Sequence, residues 1–160
     1  MRFRFPPRAY WKADGVTLIE LLLVLAMVGV LAAIALPSYN GYRERIKQAQ
    51  AIREITVLQL QIKQYALDHN AYPASLAAIG NGGALDPWGR PYRYLDLTPP
   101  KAMGSARKDH RLNPINSDFD LYSVGKDGLT QLQLTQKSSL DDIVRAADGV
   151  YVGLAANYSP

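Results

Sequence analysis

The sequence predicts an α+β fold in which one long N-terminal helix packs on a small antiparallel β-sheet. From residue 16 to about residue 70, a long apolar run with a single charge is followed by apolar residues at helical spacing. After residue 70 the chain is rich in Pro, Gly, Asp and Tyr, and short strand-like segments alternate with turn signals. We therefore divide the chain into a basic leader (1–15), the long helix (16–70) and a globular domain (71–160).

The positive charge of the chain is concentrated in the leader. The formal net charge of the chain is +4 at pH 7. The leader has four basic residues and one acidic residue, so it carries +3 of that charge. A positive segment before an apolar span usually stays on the cytoplasmic side of a membrane. No basic stripe follows, so nucleic-acid binding is not predicted. The charged leader residues are Arg2, Arg4, Arg8, Lys12 and Asp14.

The apolar run over residues 16–36 contains one charge, that of Glu20. The uncharged stretch 21–42 is about 33 Å long as an α-helix, which matches a hydrocarbon core of about 30 Å. A secretory signal peptide would have a shorter apolar region. The sequence therefore predicts a transmembrane segment over about residues 16–38.

A motif surrounds the bond between Gly15 and Val16. Gly15 is followed by Val16-Thr17-Leu18-Ile19-Glu20 and then by the apolar run. This order resembles the prepilin peptidase site of type IV pilins and type II secretion pseudopilins, in which cleavage follows a Gly and the fifth mature residue is Glu. The resemblance implies cleavage after Gly15 and methylation of the new N-terminus. Val16 departs from the Phe that is usual at the first mature position.

Glu20 places a carboxylate near the start of the apolar segment. A charged side chain costs roughly 2.5–3.5 kcal/mol at the bilayer centre on insertion scales, and less near an interface. Glu20 either lies among the headgroups or pairs with an opposite charge. The resemblance favours pairing with the α-amino group of Val16 on a neighbouring subunit.

From residue 39 to about residue 70 the pattern predicts a surface helix with one buried stripe. Pro37 separates this helix from the apolar run and predicts a kink or a local loss of helix, because proline removes one backbone hydrogen bond. The stripe consists of Tyr42, Ile46, Ala49, Ile52, Ile55, Leu58, Ile62, Tyr65 and Ala66.

Short elements are predicted in the globular domain. Residues 75–79 read as a helical turn, and the alternation in 92–95, 119–124 and 129–135 predicts three strands. Asp127-Gly128 is a hairpin-turn signal, and 147–153 is a candidate further strand. The polar loop 98–116 is predicted to be solvated surface, with a subunit contact as the alternative; its cations are Lys101, Arg107, Lys108 and Arg111.

The order of these segments resembles the major pseudopilin of type II secretion. Its typical elements are Tyr-Pro after the helix, Asp-Pro-Trp-Gly-x-Pro-Tyr, Asp-Leu-Tyr-Ser-x-Gly-x-Asp-Gly and Asp-Ile. The absence of cysteine also fits a pseudopilin better than a type IV pilin, which often closes this region with a disulfide. The matching segments here are 72–73, 86–92, 120–128 and 142–143.

The resemblance implies a pilin-like structural subunit of the bacterial inner membrane. It would span the membrane once, with its C-terminal domain in the periplasm, and polymerise into a periplasmic filament that drives protein export. The implied partners are further copies of the chain, minor pseudopilins, prepilin peptidase and an inner-membrane assembly platform. A type IV pilin for adhesion, motility or DNA uptake is the alternative.

A membrane-tethered periplasmic enzyme or binding module is the third hypothesis. No Ser-His-Asp arrangement, phosphate loop or paired-carboxylate site is visible in the sequence. His69 and His110 lack partners at metal-ligand spacing. No catalytic residue is therefore predicted, and the chain is not expected to be an enzyme.

The resemblance also implies one calcium ion in the loop after the Asp-Gly turn. Asp127, Asp141 and Asp142 match the acidic positions at the two ends of that loop, and the carbonyl of Val124 is a further candidate ligand. Calcium takes six to eight oxygen ligands. The loop departs from the family because it is Leu-rich where the family is often Gly-rich and acidic. Alternatively, Asp127 forms a turn and Asp141-Asp142 begins a helix.

Overall fold

The computed structural model describes residues 15–159. The predicted leader, except for Gly15, therefore lies outside the described residues. The chain divides into two compact units that meet between Gly41 and Tyr42. One helix, α1 (Leu18–His69), contributes to both units.

In the first unit, α1 carries apolar side chains that are exposed on all sides from Leu18 to Leu36. Of the helices in residues 15–159, α1 alone is long and apolar enough to cross a membrane. Helical backbone continues through Pro37, so the local loss of helix predicted there is not observed. One residue later, the hydroxyl of Ser38 donates a hydrogen bond to the carbonyl of Ile34 at 3.0 Å.

In the second unit, α1 buries one stripe of side chains. The buried positions are separated by four, three and four residues, which places them on one face of the helix. The predicted stripe is confirmed from residue 52 onward, where its members are buried or half-buried, whereas Tyr42, Ile46 and Ala49 are exposed. The buried residues are Ile55, Leu58 and Ile62 of the predicted stripe and Ala51, which was not predicted.

Four short strands form one antiparallel sheet in the order β1-β2-β3-β4. They are β1 (Arg93–Asp96), β2 (Phe119–Ser123), β3 (Ile143–Ala146) and β4 (Tyr151–Leu154).

The sheet has a core on each face because successive residues of a strand point to opposite sides. Phe119, Leu121 and Ile143 belong to the main core together with the buried stripe of α1. On the other face, Val144 and Ala146 belong to a second cluster. That cluster also contains Ile115, Leu134 and Ala155.

The predicted α+β fold is confirmed, as are the strands near 92–95 and 119–124 and the turn at 75–79, which is a 3-10 helix (Leu76–Ile79). The predicted strand at 129–135 is wrong. The backbone N–H groups of Lys108 and Leu134 instead hydrogen-bond to the carbonyls of Leu132 and Lys108, at 2.8 and 2.9 Å. This segment therefore folds against the loop before β2 and does not join the sheet.

The chain from Asp142 onward also differs from expectation. One interpretation of the sequence was that Asp141-Asp142 begin a helix. Instead, a strand, β3, begins directly after Asp142. All four of its residues are buried, so the apolar-polar alternation that marks a half-exposed strand is missing. The candidate strand at 147–153 corresponds to β4, which begins later because Ala147–Gly149 form a 3-10 turn.

Candidate functional site

The first candidate site is the N-terminal end of α1. Thr17 immediately precedes the helix, and its Oγ1 accepts a hydrogen bond from the backbone N–H of Glu20 at 3.3 Å. The Oε2 of Glu20 accepts hydrogen bonds from the backbone N–H and the hydroxyl of Thr17, both at 2.8 Å. These reciprocal bonds form a capping box, which satisfies two backbone donors at the helix start.

The capping box gives Glu20 a role within its own chain that the sequence analysis did not consider. The signal was present as Thr-x-x-Glu before an apolar run. Gly15 and Val16 precede the box in exposed, non-helical backbone. A cut between them would leave the box intact, because both of its residues lie after the cut.

The second candidate site is the β2–β3 loop, residues 124–142, whose two ends are in contact. Gly125 has a φ of +61°, and a Cβ placed on it would overlap the carbonyl and the carboxylate of Asp141. The backbone N–H of Asp127 donates to Oδ2 of Asp141 at 2.9 Å. Glycine is therefore required where the loop closes, and closure brings Asp127 next to Asp141.

Two motifs named in the sequence analysis meet at this closure. Asp86 accepts the backbone N–H groups of Trp88 and Arg90 at 3.0 and 2.9 Å, which fixes the turn that contains them. The other carboxylate oxygen of Asp86 accepts the hydroxyl of Ser123 at 2.5 Å. Arg90 then donates to the carbonyl of Gly125 at 2.7 Å. The Asp-Pro-Trp-Gly turn thus holds the start of the β2–β3 loop.

Asp142, at the end of the loop, is paired with an arginine. Its Oδ2 accepts hydrogen bonds from Nη2 of Arg107 and from the hydroxyl of Thr130, both at 2.6 Å. The side chains of Arg107 and Asp142 are 2% and 0% exposed. A buried carboxylate needs such a partner, because an uncompensated charge in the interior is strongly destabilising.

Burial raises the pKa of Asp142 to about 6. The hydrogen bond from Thr130 and the positive charge of Arg107 act in the opposite direction and limit the rise. Removal from water therefore outweighs the arginine.

The predicted calcium ligands are only partly brought together. Asp127 and Asp141 are neighbours, whereas the hydrogen-bond partners of Asp142 are Arg107 and Thr130. Within residues 15–159, no group of three or more His, Cys, Asp or Glu side chains is placed to hold a metal. Asp142 therefore does not fit the expected donor set while the guanidinium contacts it. Calcium binding stays a prediction.

Arg107 is the residue that the sequence analysis placed incorrectly, because it was assigned to a solvated loop and is buried. Its backbone N–H donates to Oδ2 of Asp120 at 2.6 Å, and its guanidinium lies 4.4 Å from the ring centre of Tyr122. No local pattern distinguishes it from the other cations of the loop. Its partners come from β2 and from the β2–β3 loop, so only the fold identifies it.

A shallow hollow of about 770 Å³ lies beside the β2–β3 loop. Its lining consists of two leucines, three glutamines, one aspartate, one lysine and one serine. Among the described residues that line it, no nucleophile is hydrogen-bonded to a general base, so the hollow gives no support to an enzyme. The lining residues are Asp127, Leu129, Gln131, Leu132, Gln133, Gln136, Lys137 and Ser138.

Comparison with known proteins finds similar chains of two kinds. A type II secretion system core protein G of Escherichia coli (strain K12) is 31% identical over 129 residues, 76% of this chain and 87% of that protein. The protein of the same name from Aeromonas hydrophila is 29% identical over 138 residues, 73% and 85% of the two chains.

A fimbrial protein of Neisseria meningitidis serogroup A is 28% identical over 144 residues, 89% of this chain and 85% of that protein. No family model matches the chain, and no solved structure matches it significantly. The similarity to curated proteins therefore extends over most of both partners and includes secretion and fimbrial proteins.

Proposed function

This chain belongs to the family of type II secretion system core protein G, and we propose that it is the repeating structural subunit of a secretion pseudopilus. Membership makes it a pilin-like structural protein and not an enzyme. The observation that supports the proposal best is the similarity to core protein G over about three quarters of the chain. A helix able to span a membrane and a C-terminal α+β unit agree with that role.

In the proposed cycle, the subunit first resides in the bacterial inner membrane. The apolar half of α1 anchors it, the basic leader stays in the cytoplasm, and the C-terminal domain lies in the periplasm. Prepilin peptidase removes the leader after Gly15, and Val16 becomes a methylated N-terminus. A motor protein at the inner-membrane assembly platform supplies the energy that extracts subunits from the bilayer.

In the assembled state, copies of the chain form a periplasmic filament together with minor pseudopilins. The exposed apolar side chains of α1 between Leu18 and Leu36 need a new apolar environment once they leave the lipid. The same segments of neighbouring subunits provide it, because burial of apolar surface favours association. Filament growth then drives export.

A type IV pilin is the second candidate, and the fimbrial relative that covers 89% of this chain supports it. Deletion of the gene in its host discriminates between the two. We expect proteins that are normally secreted to accumulate in the periplasm of the deletion strain, and secretion to return when the gene is restored. Normal secretion combined with loss of surface pili would favour the type IV pilin.

A further inference from the structure

Asp142, one of the carboxylates that the family resemblance assigns to a calcium ion, is instead ion-paired with Arg107. We propose that the guanidinium of Arg107 takes the place of calcium in this chain, so that the β2–β3 loop is closed by an internal ion pair and folds without metal. This inference concerns closure of the loop and is independent of whether the filament serves secretion or a pilus.

The contacts of Asp142 are the first argument. The Nη2 of Arg107 and the hydroxyl of Thr130 both contact Oδ2 of Asp142 at 2.6 Å. A calcium ion bound to the same carboxylate would bring two positive charges within a few ångströms in a buried site. Their repulsion would be large, because solvent screens them little there. The other oxygen, Oδ1, is buried and has no hydrogen-bond partner among the described residues, and a calcium ion bound there would meet this repulsion. Arg107 therefore disfavours calcium at Asp142.

The second argument is that Arg107 is held from several sides. Its Nη1 hydrogen-bonds to the hydroxyl of Thr130, its guanidinium stacks on the ring of Tyr122, and its backbone N–H is bound to Asp120. To vacate Asp142, the side chain would lose the ion pair, the hydroxyl and the ring together. The guanidinium is thus built into the fold.

The third argument is the composition of the loop. Residues 128–140 contain no Asp or Glu and one Lys, so between Asp127 and Asp141 the loop adds no carboxylate to the oxygen ligands that calcium requires. It does supply Thr130, whose hydroxyl contacts both members of the ion pair. The Leu-rich loop thus lacks the acidic residues that the family often has there, and it supplies a hydrogen-bond partner for the arginine.

The pair joins three parts of the chain that are distant in sequence. Arg107 precedes β2, Thr130 lies in the middle of the β2–β3 loop, and Asp142 immediately precedes β3. A metal ion or a disulfide could make the same kind of connection between distant segments, and this chain has no cysteine. The ion pair therefore acts as the loop's closing link.

The test is thermal unfolding of the full chain in detergent, followed by tryptophan fluorescence, with calcium chloride, magnesium chloride or chelator. A calcium site filled at a hundredfold excess over its Kd would raise the Tm by about 10 °C. We expect the three Tm values of the wild type to agree within about 1 °C. A rise with calcium that magnesium does not reproduce would overturn the proposal.

Variants test the ion pair itself. Arg107→Met should lower the Tm by about 10–20 °C because it leaves the Asp142 carboxylate buried and unpaired. Arg111 is an exposed arginine that lies, like Arg107, in the loop before β2. Arg111→Met is therefore the matched control and should change the Tm by no more than about 2 °C. Equal melting of the two variants would contradict the proposal.

A double variant keeps the test decisive if Arg107→Met alone fails to fold. Arg107→Met combined with Asp142→Asn removes both charges and should recover at least about half of the lost Tm or restore folding, because paired groups are not additive. The proposal would be contradicted if the double variant unfolded like Arg107→Met. It would also be contradicted if its loss of Tm equalled the sum of the losses in the two single variants, because the two side chains would then not act as a pair.

Discussion

At the scale of single residues, Glu20 has to satisfy two demands with one carboxylate. The capping box uses Oε2 to bind Thr17, but hydrogen bonds do not neutralise the charge. A negative charge at a helix N-terminus is favoured by the helix dipole, which explains why Glu20 is tolerated next to an apolar segment. The charge stays available to attract the α-amino group of Val16 on another subunit, as the family resemblance implies.

The first prediction separates the cap from the charge. Glu20→Gln keeps the capping box, because Gln is as suitable as Glu at this position, but removes the negative charge. We expect the variant to insert and to be cleaved normally, and to yield few or no filaments when overexpressed cells are sheared and the filaments are pelleted by ultracentrifugation. Glu20→Ala, which loses both, should behave in the same way.

Thr17→Ala is the matched control for this prediction. It removes the hydroxyl of the cap, at a cost of about 0.5–2 kcal/mol to the helix, and leaves the carboxylate in place. Filament yield should stay close to that of the wild type. If Glu20→Gln assembles normally while Thr17→Ala does not, Glu20 serves the helix cap and pairing between subunits is dispensable.

The burial of two arginines, Arg107 and Arg145, could not be predicted from the sequence. Arg145 donates to both carboxylate oxygens of Asp118, at 2.7 and 2.6 Å, and to Gln59 on α1 at 3.1 Å. Its burial follows from contacts 27 and 86 residues away along the chain, which no local pattern encodes.

At the scale of elements, predictability follows how local the determining interactions are. Most of α1 and the position of β2 could be predicted, because helical spacing and the apolar run of a strand are visible within a short window. The β2–β3 loop could not, because its shape depends on Asp86, Arg90 and Arg107. β3 was missed because burial on both faces removes the alternation that identifies a strand.

The second prediction concerns closure of the β2–β3 loop. Gly125→Ala adds a Cβ at a φ of +61°, against the backbone and side chain of Asp141. Because both the conformation and the space are unfavourable, we expect a loss of more than about 1 kcal/mol in the free energy of unfolding. Urea denaturation of the full chain in detergent measures this loss.

Gly83→Ala is the control for the loop prediction. Gly83 does not have a positive φ, and in the part of the chain that the structure describes, apart from its chain neighbours, no atom lies within 4 Å of a Cβ placed on it. Its substitution should leave the free energy of unfolding unchanged within about 0.5 kcal/mol. Equal stability of the two variants would mean that the loop opens at little cost and that contact between its ends does not contribute to the fold.

At the scale of the whole molecule, the proposed orientation follows from the sequence at the N-terminus. The leader carries a net charge of +3, and the apolar run follows it directly. By the positive-inside tendency, we expect the leader to face the cytoplasm and the C-terminal domain to face the periplasm. The proposed removal of the leader would then require a peptidase that reaches the N-terminal end of α1, where Gly15 and Val16 lie in exposed, non-helical backbone.

The last prediction is that the mature chain begins at Val16. N-terminal sequencing of the protein purified from membranes should read Val-Thr-Leu-Ile-Glu, with a mass that includes one methyl group. Gly15→Leu should abolish cleavage, because a side chain prevents the close approach of the backbone that glycine allows. Among the described residues beyond its chain neighbours, none lies within 4 Å of a Cβ placed on Gly15, so we do not expect the substitution to disturb the fold. Glu20→Gln is the control and should still be cut, which separates processing from assembly. A mature wild-type chain that retained Met1 to Gly15 would disprove the cleavage and remove the free α-amino group on which pairing with Glu20 depends.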